Sequence, residues 1–374
     1  MTKLAIIGAS YLQLPLVRRA KENGLYTICF AWPEGAVCKD ECDVFYPVSI
    51  IEKEQILDIC RKEQINGICT IASDTAAPTV AYVAGQMRLV GNSYECALRA
   101  NNKYQMRKAF RDAGVPCPGF VCFSEGVDEL ENKRVGELGL PLIVKPSDRS
   151  GSLGVMKVER EEDLKGAIEQ AKGYSFKHEA IVEEFIEGRE ISVEFISYQG
   201  KHYPLQITDK VTTEAPHFVE LEHHQPADLT MEQYSEIYRL TTKALDALGV
   251  TNGASHSEYR ITKDGKIYVM EIGARMGGDF IGSDLVQLST GYDFLRGVIE
   301  VALGQFTPPV CTINKYSGVY FLCAETGYLE LYFQQPPSCI VAYERTKQTL
   351  SPVTCSRDRS GYLIYQSDEK LVLR

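Results

Sequence analysis

Apolar runs and helical patterns alternate along the first hundred residues of the chain. The runs KLAIIG, YTICF and INGICTIAS are short and strand-like, and the segment SIIEKEQILDICRKEQ has apolar residues at helical spacing. Strands that are apolar throughout are buried on both faces, and the helices between them cover those faces. The alternation therefore predicts a doubly wound parallel sheet in an α/β domain at residues 1–115. The loop GASYLQLP lacks the GxGxxG fingerprint, which argues against a dinucleotide site.

Beyond residue 115 the pattern becomes mixed α and β. Thr230 and Gln233 form a capping box at the start of a long amphipathic helix that Gly249 ends. After Pro308 and Pro309 the sequence becomes rich in strands and turns. These changes predict a strand-rich subdomain at residues 306–374, whereas a small lobe at residues 116–188 and a large lobe at residues 189–305 are implied by the family resemblance described below.

Composition restricts the partners and the compartment. With 50 acidic and 40 basic residues, the net charge of -10 argues against a nucleic-acid partner. No apolar run approaches 18 residues, so no membrane span is expected, and the start MTKLAIIGAS is interpreted as a core strand and not as a secretion signal. Twelve scattered cysteines without a CxxC pair predict reduced thiols in a cytoplasmic protein.

Two glutamates are predicted to face each other across a hairpin. Strand-like runs flank Asp264 and Gly265, a pair that favours a two-residue loop. That loop places Glu258 opposite Glu271 with Cβ atoms about 5 Å apart, where the carboxylates repel by about 3 kcal/mol at an effective dielectric constant of about 20. Mg²⁺ removes this repulsion, since it prefers one or two carboxylates together with phosphate oxygens. The alternatives are a solvent-facing pair in another register and a protonated glutamate.

Arg275 continues the same strand face beyond Glu271, and Gly277 and Gly278 then permit close backbone approach. A guanidinium beside a metal–phosphate site suits a carboxylate or an acyl phosphate, which it can bind bidentately. The three residues are therefore candidate substrate contacts. A lone arginine is more often part of a surface ion pair.

The segment PLIVKPSDRSGSLGV, residues 141–155, ends an apolar run in Lys145 and continues into a loop of serine and glycine. Backbone N–H groups of such a loop can close over phosphates, and Lys145 supplies a positive charge for them. The loop resembles neither a Walker A motif nor the glycine-rich loop of protein kinases. Taken alone, it is more often a plain turn.

The segment AIVEEFIEGREISVEF, residues 180–195, predicts two strands joined by a short connector at Gly188. A connector between lobes can offer main-chain amide and carbonyl groups to an adenine edge, and Glu190 can accept hydrogen bonds from ribose hydroxyls.

Together these motifs resemble the ATP-grasp superfamily of carboxylate–amine ligases, and in particular its L-amino acid (dipeptide) ligase branch. The resemblance covers nearly the whole chain. It implies a fold of the α/β and α+β classes, with an N-terminal doubly wound parallel-sheet domain, a two-lobed nucleotide-binding core and a C-terminal strand-rich subdomain. The motifs stand in the family's order: Lys103, Lys145 with its loop, VEEFIEG with Glu190, then Glu258, Glu271 and Arg275.

The resemblance also implies an ADP-forming reaction that uses ATP and Mg²⁺ or Mn²⁺. A carboxylate attacks the γ-phosphate to give an acyl phosphate, and an amine then displaces phosphate. The implied residues are Lys103, Lys145, Ser150, Gly151, Ser152 and Gly154 for phosphates, Glu183, Glu184, Phe185 and Ile186 for adenine, Glu190 for ribose, Glu258 and Glu271 for metal, and Lys145 and Arg275 for catalysis. Many members carry asparagine two residues after the second glutamate, where this chain has Gly273. A second metal ion is therefore expected to depend on water and Glu271.

Residues 209–229, DKVTTEAPHFVELEHHQPADL, resemble the acceptor segment of the dipeptide-ligase branch. The matching positions of the pattern Phe-x-Glu-x-x-His-x-x-Pro-Ala are Phe218, Glu220, His223, Pro226 and Ala227. A carboxylate and an imidazole at this spacing can bind an ammonium group or polarise an amine, so Glu220 and His223 are candidate substrate residues. The alternatives are an exposed histidine-rich loop and a zinc site formed by His217, His223 and His224.

The resulting hypothesis is a ligase for small molecules, a carboxylate (an amino acid or similar small acid) and an amine. Its rivals are a purine-biosynthetic ligase of the phosphoribosylglycinamide or carboxyaminoimidazole ribonucleotide synthase type, and a nucleotide-binding regulator without catalysis. No basic cluster for a ribose phosphate is obvious, and the intact motif residues speak against a regulator. Dimers are common among similar proteins, so a homodimer is one expected assembly.

Overall fold

The computed structural model of the protein describes residues 1–124, 134–151, 153–213 and 217–374. Its strands form three sheets that follow one another along the chain. The first sheet belongs to an α/β region and the third sheet is large and antiparallel, so the chain combines the predicted α/β and α+β classes.

The first sheet is parallel, as predicted, with strand order β3-β2-β1-β4. Its strands are β1 (Lys3–Ile7), β2 (Tyr26–Phe30), β3 (Val44–Tyr46) and β4 (Gly67–Cys69). The helices of this region are α1 (Leu14–Glu22), α2 (Lys53–Glu63), α3 (Ala77–Met87), α4 (Tyr94–Asn101) and α5 (Lys103–Asp112). We refer to the part of the chain built on this sheet as the first domain.

The second sheet is antiparallel and small, with order β5-β8-β6-β7. It consists of β5 (Phe120–Phe123), β6 (Leu142–Pro146), β7 (Met156–Val158) and β8 (Ala180–Glu184), and helix α6 (Glu161–Tyr174) packs on one face.

The third sheet has eight strands in the order β13-β12-β9-β10-β11-β14-β16-β15. Its strands are β9 (Arg189–Tyr198), β10 (Lys201–Thr212), β11 (Glu220–Gln225), β12 (Gly253–Ile261), β13 (Ile267–Gly273), β14 (Tyr316–Leu322), β15 (Ile340–Arg345) and β16 (Gly361–Ser367). The accompanying helices are α7 (Met231–Leu248), α8 (Val286–Thr290), α9 (Phe294–Ala302) and α10 (Glu330–Gln334). Because β14 pairs with β11, the C-terminal strands extend the same sheet and do not form one of their own.

Helix α9 joins the first domain to the third sheet. Phe294 and Val298 of α9 share a buried cluster with Leu4 of β1 and Leu16 of α1, while α2 and α3 cover the opposite face of the first sheet. A parallel sheet needs both faces covered. The first sheet therefore depends on a helix that lies within the range predicted for the large lobe.

The hairpin of β12 and β13 places Glu258 opposite Glu271, as predicted, but the predicted two-residue loop is wrong. Ile261 faces Ile267, so the loop has three residues, 263–265, with Gly265 at a φ of 82°. Further along, Glu258 faces Glu271 while Tyr259 faces Val269, so Met270 is an extra residue in a β-bulge. The longer loop and the bulge cancel each other at the two glutamates.

In the described part of the chain, no disulfide bond joins any two of the twelve cysteines. No described helix is both long enough and apolar enough to cross a bilayer.

Gly188 stands in the connector between the second and third sheets, and a Cβ there would lie 2.4 Å from the carbonyl oxygen of Ile261. We expect Gly188→Ala to lower the free energy of unfolding by about 1–3 kcal/mol, as overpacking does. Gly166→Ala in α6 is the control, since a Cβ there meets nothing within 4 Å and removal of a helical glycine stabilises by about 0.5–1 kcal/mol. Urea denaturation of both variants measures the difference, and equal stabilities would contradict the steric account.

Candidate active site

Glu258 and Glu271, which face each other across β12 and β13, are each held by a different lysine. Lys210 of β10 places its Nζ 2.9 Å from Glu258 Oε1. Lys103 at the start of α5 places its Nζ 2.9 Å from Glu271 Oε1 and also donates to the carbonyl oxygen of Arg149. Lys103 thus connects the carboxylate pair to the serine- and glycine-rich loop.

Lys210 was not predicted from the sequence, yet it holds three predicted residues together. Its side chain is 3% exposed, and its Nζ lies 2.8 Å from Glu190, 2.9 Å from Glu258 and 3.5 Å from Glu220. Burial lowers the pKa of Lys210, but the three carboxylates outweigh burial and hold the pKa well above its ordinary value. The sequence could have indicated Lys210 in the same way as Lys145, because each lysine lies near the end of a strand-like run.

Glu258 is kept ionised by its neighbours. Burial raises its pKa, but Lys210 and His256 more than offset this and hold the pKa well below its ordinary value. His256 in turn bonds through Nδ1 to the buried carboxylate of Glu194. Burial lowers the pKa of His256, and Glu194 then raises it to about 9. Positive and negative groups therefore alternate along the series Lys210, Glu258, His256 and Glu194.

Gly277 lies against the Glu194–His256 pair, where there is no room for a side chain. Its N–H donates to Glu194 Oε2 over 3.1 Å, and a Cβ at this position would lie 2.7 Å from His256 Nδ1. Any larger residue at position 277 would push the segment after β13 away from the Glu194–His256 pair. Gly278 similarly brings its backbone against Ala72 of the first domain.

Lys145 faces a buried counter-ion. Its Nζ lies 2.6 Å from Glu183 Oε2, and Arg107 Nε of α5 lies 2.8 Å from Glu183 Oε1. Burial lowers the pKa of Lys145, while for Glu183 the two cations outweigh burial and lower the pKa. Arg107 also donates to the carbonyl oxygen of Met270, the extra residue of the β-bulge. One buried arginine therefore fixes both the Lys145 counter-ion and the hairpin.

This arrangement corrects part of the predicted adenine segment. Glu183 lies in β8, which pairs with β5 on one side and β6 on the other, and its side chain is an internal counter-ion. The Glu184 carboxylate accepts the N–H of Gly119 over 2.7 Å. The adenine prediction therefore narrows to Phe185 and Ile186, which follow the end of β8 in the connector.

The loop after Lys145 is anchored at its start and exposed at its tip. The carbonyl oxygen of Ser147 accepts the N–H of Lys103 over 2.7 Å, and Arg149 stacks 3.7 Å from the Phe176 ring. Ser150 and Gly151 are exposed, and Gly154 has a φ of 73° with its backbone against Tyr174. Ser152, also predicted to contact phosphate, lies outside the described residues.

Arg275 is held by an aspartate that the sequence did not single out. Its Nε and Nη2 lie 2.8 Å and 2.7 Å from the two oxygens of Asp74, which follows β4 of the first domain. Arg275 is therefore one half of a bidentate ion pair between domains.

Glu220 and His223 of β11 lie beside a second arginine that the sequence did not single out. Arg359 Nη2 lies 3.1 Å from Glu220 Oε2, and its Nη1 lies 2.8 Å from Asp279 Oδ2. His223 Nε2 is 3.9 Å from the same Asp279 oxygen, and among the described residues no protein group forms a hydrogen bond with its buried Nδ1. Burial lowers the pKa of His223, so the ring is neutral near pH 7.

Neither alternative for this segment fits. Both histidines are buried within β11, so they do not form an exposed loop. His223 and His224 are consecutive strand residues with side chains on opposite faces, and His224 bonds to Tyr365 and Glu222. Across the described residues, no group of three or more His, Cys, Asp or Glu side chains is placed to hold a metal ion.

Residues 138–284 match the model of the ATP-grasp domain family. This part of the chain is therefore similar to an ATP-grasp domain. The chain spans about half the length of the alanine–anticapsin ligase it matches.

Two curated proteins to which the chain is similar are ligases named for alanine or D-alanine. Alanine–anticapsin ligase of Bacillus subtilis (strain 168) is 30% identical over 249 residues, which cover 60% of this chain and 51% of the relative. D-alanine–D-alanine ligase of Parabacteroides distasonis is 28% identical over 204 residues, which cover 52% of this chain and 61% of the relative.

Solved structures share the fold over nearly the whole chain. The L-amino acid ligase of Bacillus licheniformis has a TM-score of 0.80 at 24% identity, covering 99% of this chain and 94% of its own. Phosphoribosylglycinamide synthetase of Anaerococcus prevotii has a TM-score of 0.78 at 21% identity, covering 98% and 94%. At these identities the likeness concerns the fold alone.

The ATP-grasp site has the donors that Mg²⁺ prefers. Glu258 and Glu271 offer hard oxygen ligands from facing positions, and the depressed pKa of Glu258 keeps its oxygens anionic. Two protein ligands suffice where phosphate oxygens and water complete the coordination shell.

We expect Arg107→Met to destabilise the ATP-grasp domain by about 3–5 kcal/mol, the scale for removal of one partner from a buried ion pair. Glu183 is 1% exposed and would keep only Lys145. Arg160→Met is the control, since Arg160 pairs with Asp163 at the surface and its loss is expected to cost less than about 0.5 kcal/mol. Guanidinium denaturation measures both, and a loss below about 1 kcal/mol for Arg107→Met would show that the pair is not critical.

Proposed function

We propose that the chain is an ATP-dependent, ADP-forming ligase that joins a small carboxylate to an amine through an acyl phosphate. The observation that carries the proposal is the facing pair Glu258 and Glu271. Lys210 and Lys103 each hold one of these carboxylates. The Glu194–His256 pair connects Glu258 to the loop that contains Gly277. Bound Mg²⁺ would neutralise and align phosphate oxygens at this pair.

Lys103 and Lys145 bind the phosphates in this proposal. Both are nearly buried and each rests on a single carboxylate, Glu271 and Glu183 respectively. A phosphate group offers them more negative charge than those carboxylates do, so the ammonium groups can turn to the nucleotide without leaving an ion unpaired. Ser150, Gly151, Ser152 and Gly154 then cover the phosphates, Phe185 and Ile186 meet adenine, and Glu190 meets ribose.

Arg275 steadies the carboxylate substrate and its acyl phosphate, with Gly277 and Gly278 close by. The amine substrate is assigned to Glu220 and His223. The carboxylate attracts an ammonium group, and the neutral His223 has a buried Nδ1 that can accept a proton. A cation thus serves the carboxylate substrate, whereas a carboxylate and a neutral imidazole serve the amine.

The amino-acid reading is preferred over the purine-biosynthetic one because two carboxylates, Glu220 and Asp279, surround Arg359 at the proposed amine site. Together they outweigh the single guanidinium charge, so this place attracts an ammonium group and repels a ribose phosphate. The similarity to alanine–anticapsin ligase and D-alanine–D-alanine ligase supports an amino acid as one substrate. A cytoplasmic location, an assembly as a homodimer and the absence of a nucleic-acid partner complete the proposal.

The experiment is phosphate and ADP release with MgATP across pairs of amino acids, with products identified by mass spectrometry. Ligation predicts release that requires both an acid and an amine. Tight nucleotide binding without turnover for every pair would instead support a regulator.

We expect Glu271→Gln to reduce turnover by about 100-fold or more, the scale for loss of one preorganised electrostatic group. The amide lacks the charge that Mg²⁺ needs, while the shape of the side chain is kept. Glu162→Gln, on the exposed start of α6, is the matched control and is expected to be silent. Near-normal Mg²⁺-dependent turnover in the Glu271 variant would remove it from the metal site.

We expect Glu220→Gln to weaken ligation by about tenfold or more, as loss of a charge-assisted hydrogen bond does, with the affinity for ATP unchanged. Positional isotope exchange in ATP with the acid alone reports acyl phosphate formation and should persist. A parallel loss of ATP binding and ligation would show that β11 is structural, and the acceptor assignment would then be withdrawn.

A further inference from the structure

The contact between Asp74 and Arg275 links two separate parts of the molecule. Asp74 follows the carboxyl end of β4 in the first domain, whereas Arg275 follows β13 of the third sheet. Both side chains are mostly buried, with exposed fractions of 14% and 16%. Both carboxylate oxygens are used, at 2.8 Å and 2.7 Å, so the orientation of the guanidinium plane is fixed.

Gly273 makes this contact sterically feasible. A Cβ at position 273 would lie 2.7 Å from Asp74 Oδ1 and 3.0 Å from Arg275 Cζ. The backbone of Gly273 does not have a positive φ, so a side chain is excluded by lack of room and not by backbone conformation. The aspartate from the first domain fills the space that a side chain on β13 would take.

The backbones on both sides of the contact are also joined. The N–H of Ala72 donates to the carbonyl oxygen of Met276 over 3.1 Å, and a Cβ on Gly278 would be within 3.4 Å of the Ala72 Cβ. Asp74 is further fixed where its carbonyl oxygen accepts the N–H of Ala77 at the start of α3. The carboxylate therefore approaches Arg275 from a rigid loop.

The bonds to Asp74 leave one edge of the guanidinium available. A guanidinium has five N–H groups. In the described part of the chain, Asp74 accepts from Nε and Nη2, and the carbonyl oxygen of Met276 accepts from Nη1 over 3.3 Å. One N–H on Nη1 and one on Nη2 are left to bind an anionic ligand.

Nearby charges keep the pair ionic. Burial raises the pKa of Asp74, but Arg275, Lys103 and His256 together lower it below its ordinary value. For Arg275 the attraction of Asp74 outweighs burial and raises the pKa.

We propose that Asp74 is a positioning residue, which holds Arg275 by its Nε edge so that its outer N–H groups face the reacting carboxylate or acyl phosphate. Residue 273 is glycine to admit this carboxylate. The inference rests on the proposed function, since it assigns Arg275 to the reacting group.

The test combines three variants: Asp74→Ala, Gly273→Ala and the double variant Asp74→Gly/Gly273→Ala. With an active acid–amine pair, Asp74→Ala and Gly273→Ala are each expected to lower kcat about 100-fold, with the KM for ATP changed less than twofold. Because both act by freeing Arg275, the double variant should lose no more than the worse single variant. Multiplied losses, or a kcat within threefold of the wild type in Asp74→Ala, would overturn the proposal.

A matched control separates positioning from simple attachment of the domains. Arg19 of α1 lies 3.3 Å from Asp293, just before α9, and thus also bridges the first domain and the third-sheet region, remote from the site. Arg19→Gln should leave kcat within threefold of the wild type. A loss in Arg19→Gln equal to that in Asp74→Ala would assign Asp74 to attachment alone.

A binding measurement keeps the two proposals distinguishable. If the wild type turns over no acid–amine pair, the proposed function fails, and the inference is judged with MgADP plus aluminium fluoride, a mimic of the transferring phosphoryl group. Calorimetry should show at least tenfold weaker binding of this mimic to Asp74→Ala, with MgADP alone unchanged. Equal affinities for the mimic would overturn the role of Asp74.

Discussion

A single buried ammonium group sets the arrangement of the site. Lys210 lies among three carboxylates on three strands, β9, β11 and β12. Without the lysine, whose side chain is 3% exposed, these carboxylates, which are 18%, 27% and 32% exposed, would repel one another. The strand order of the third sheet, in which β9 and β10 lie between β11 and β12, allows one side chain on β10 to reach all three.

The same alternation of charge extends outward from Lys210. Glu258 contacts His256, which contacts Glu194, while Glu271 contacts Lys103 and Arg275 contacts Asp74. Each of these ions has an oppositely charged partner within the protein, so protein groups alone position the cations. In the proposed function, a metal–nucleotide complex would exchange these partners.

Local sequence patterns predicted those candidate site residues that lie within one short segment of the chain. The Glu258–Glu271 pair follows from one hairpin, and the strand-ending Lys145 marks its own position. Asp74 and Arg359 were missed because their partners Arg275 and Glu220 lie 201 and 139 residues away. Lys210 was missed because only the fold brings Glu190, Glu220 and Glu258 together around it, although the first two are close in sequence. Glu183 was assigned to adenine because a sequence does not show that β8 is a central strand, with Arg107 beneath it.

The fold was predictable in its outline for the same reason. Alternating runs indicate a parallel sheet, whereas no local pattern shows that α9 completes that sheet or that the C-terminal strands extend the third one. Both features depend on surfaces that meet only after distant segments have folded.

The extra residue in the hairpin loop and the extra residue at Met270 together determine on which face of the sheet Glu271 lies. Side chains in a strand alternate between two faces, so an insertion of one residue turns every later side chain around. Here the two insertions, one in the loop and one in the bulge, restore the original parity before Glu271 is reached. Either insertion could be gained or lost in a related chain only together with the other, and the length of a loop at the surface is thereby tied to the position of a carboxylate in the interior.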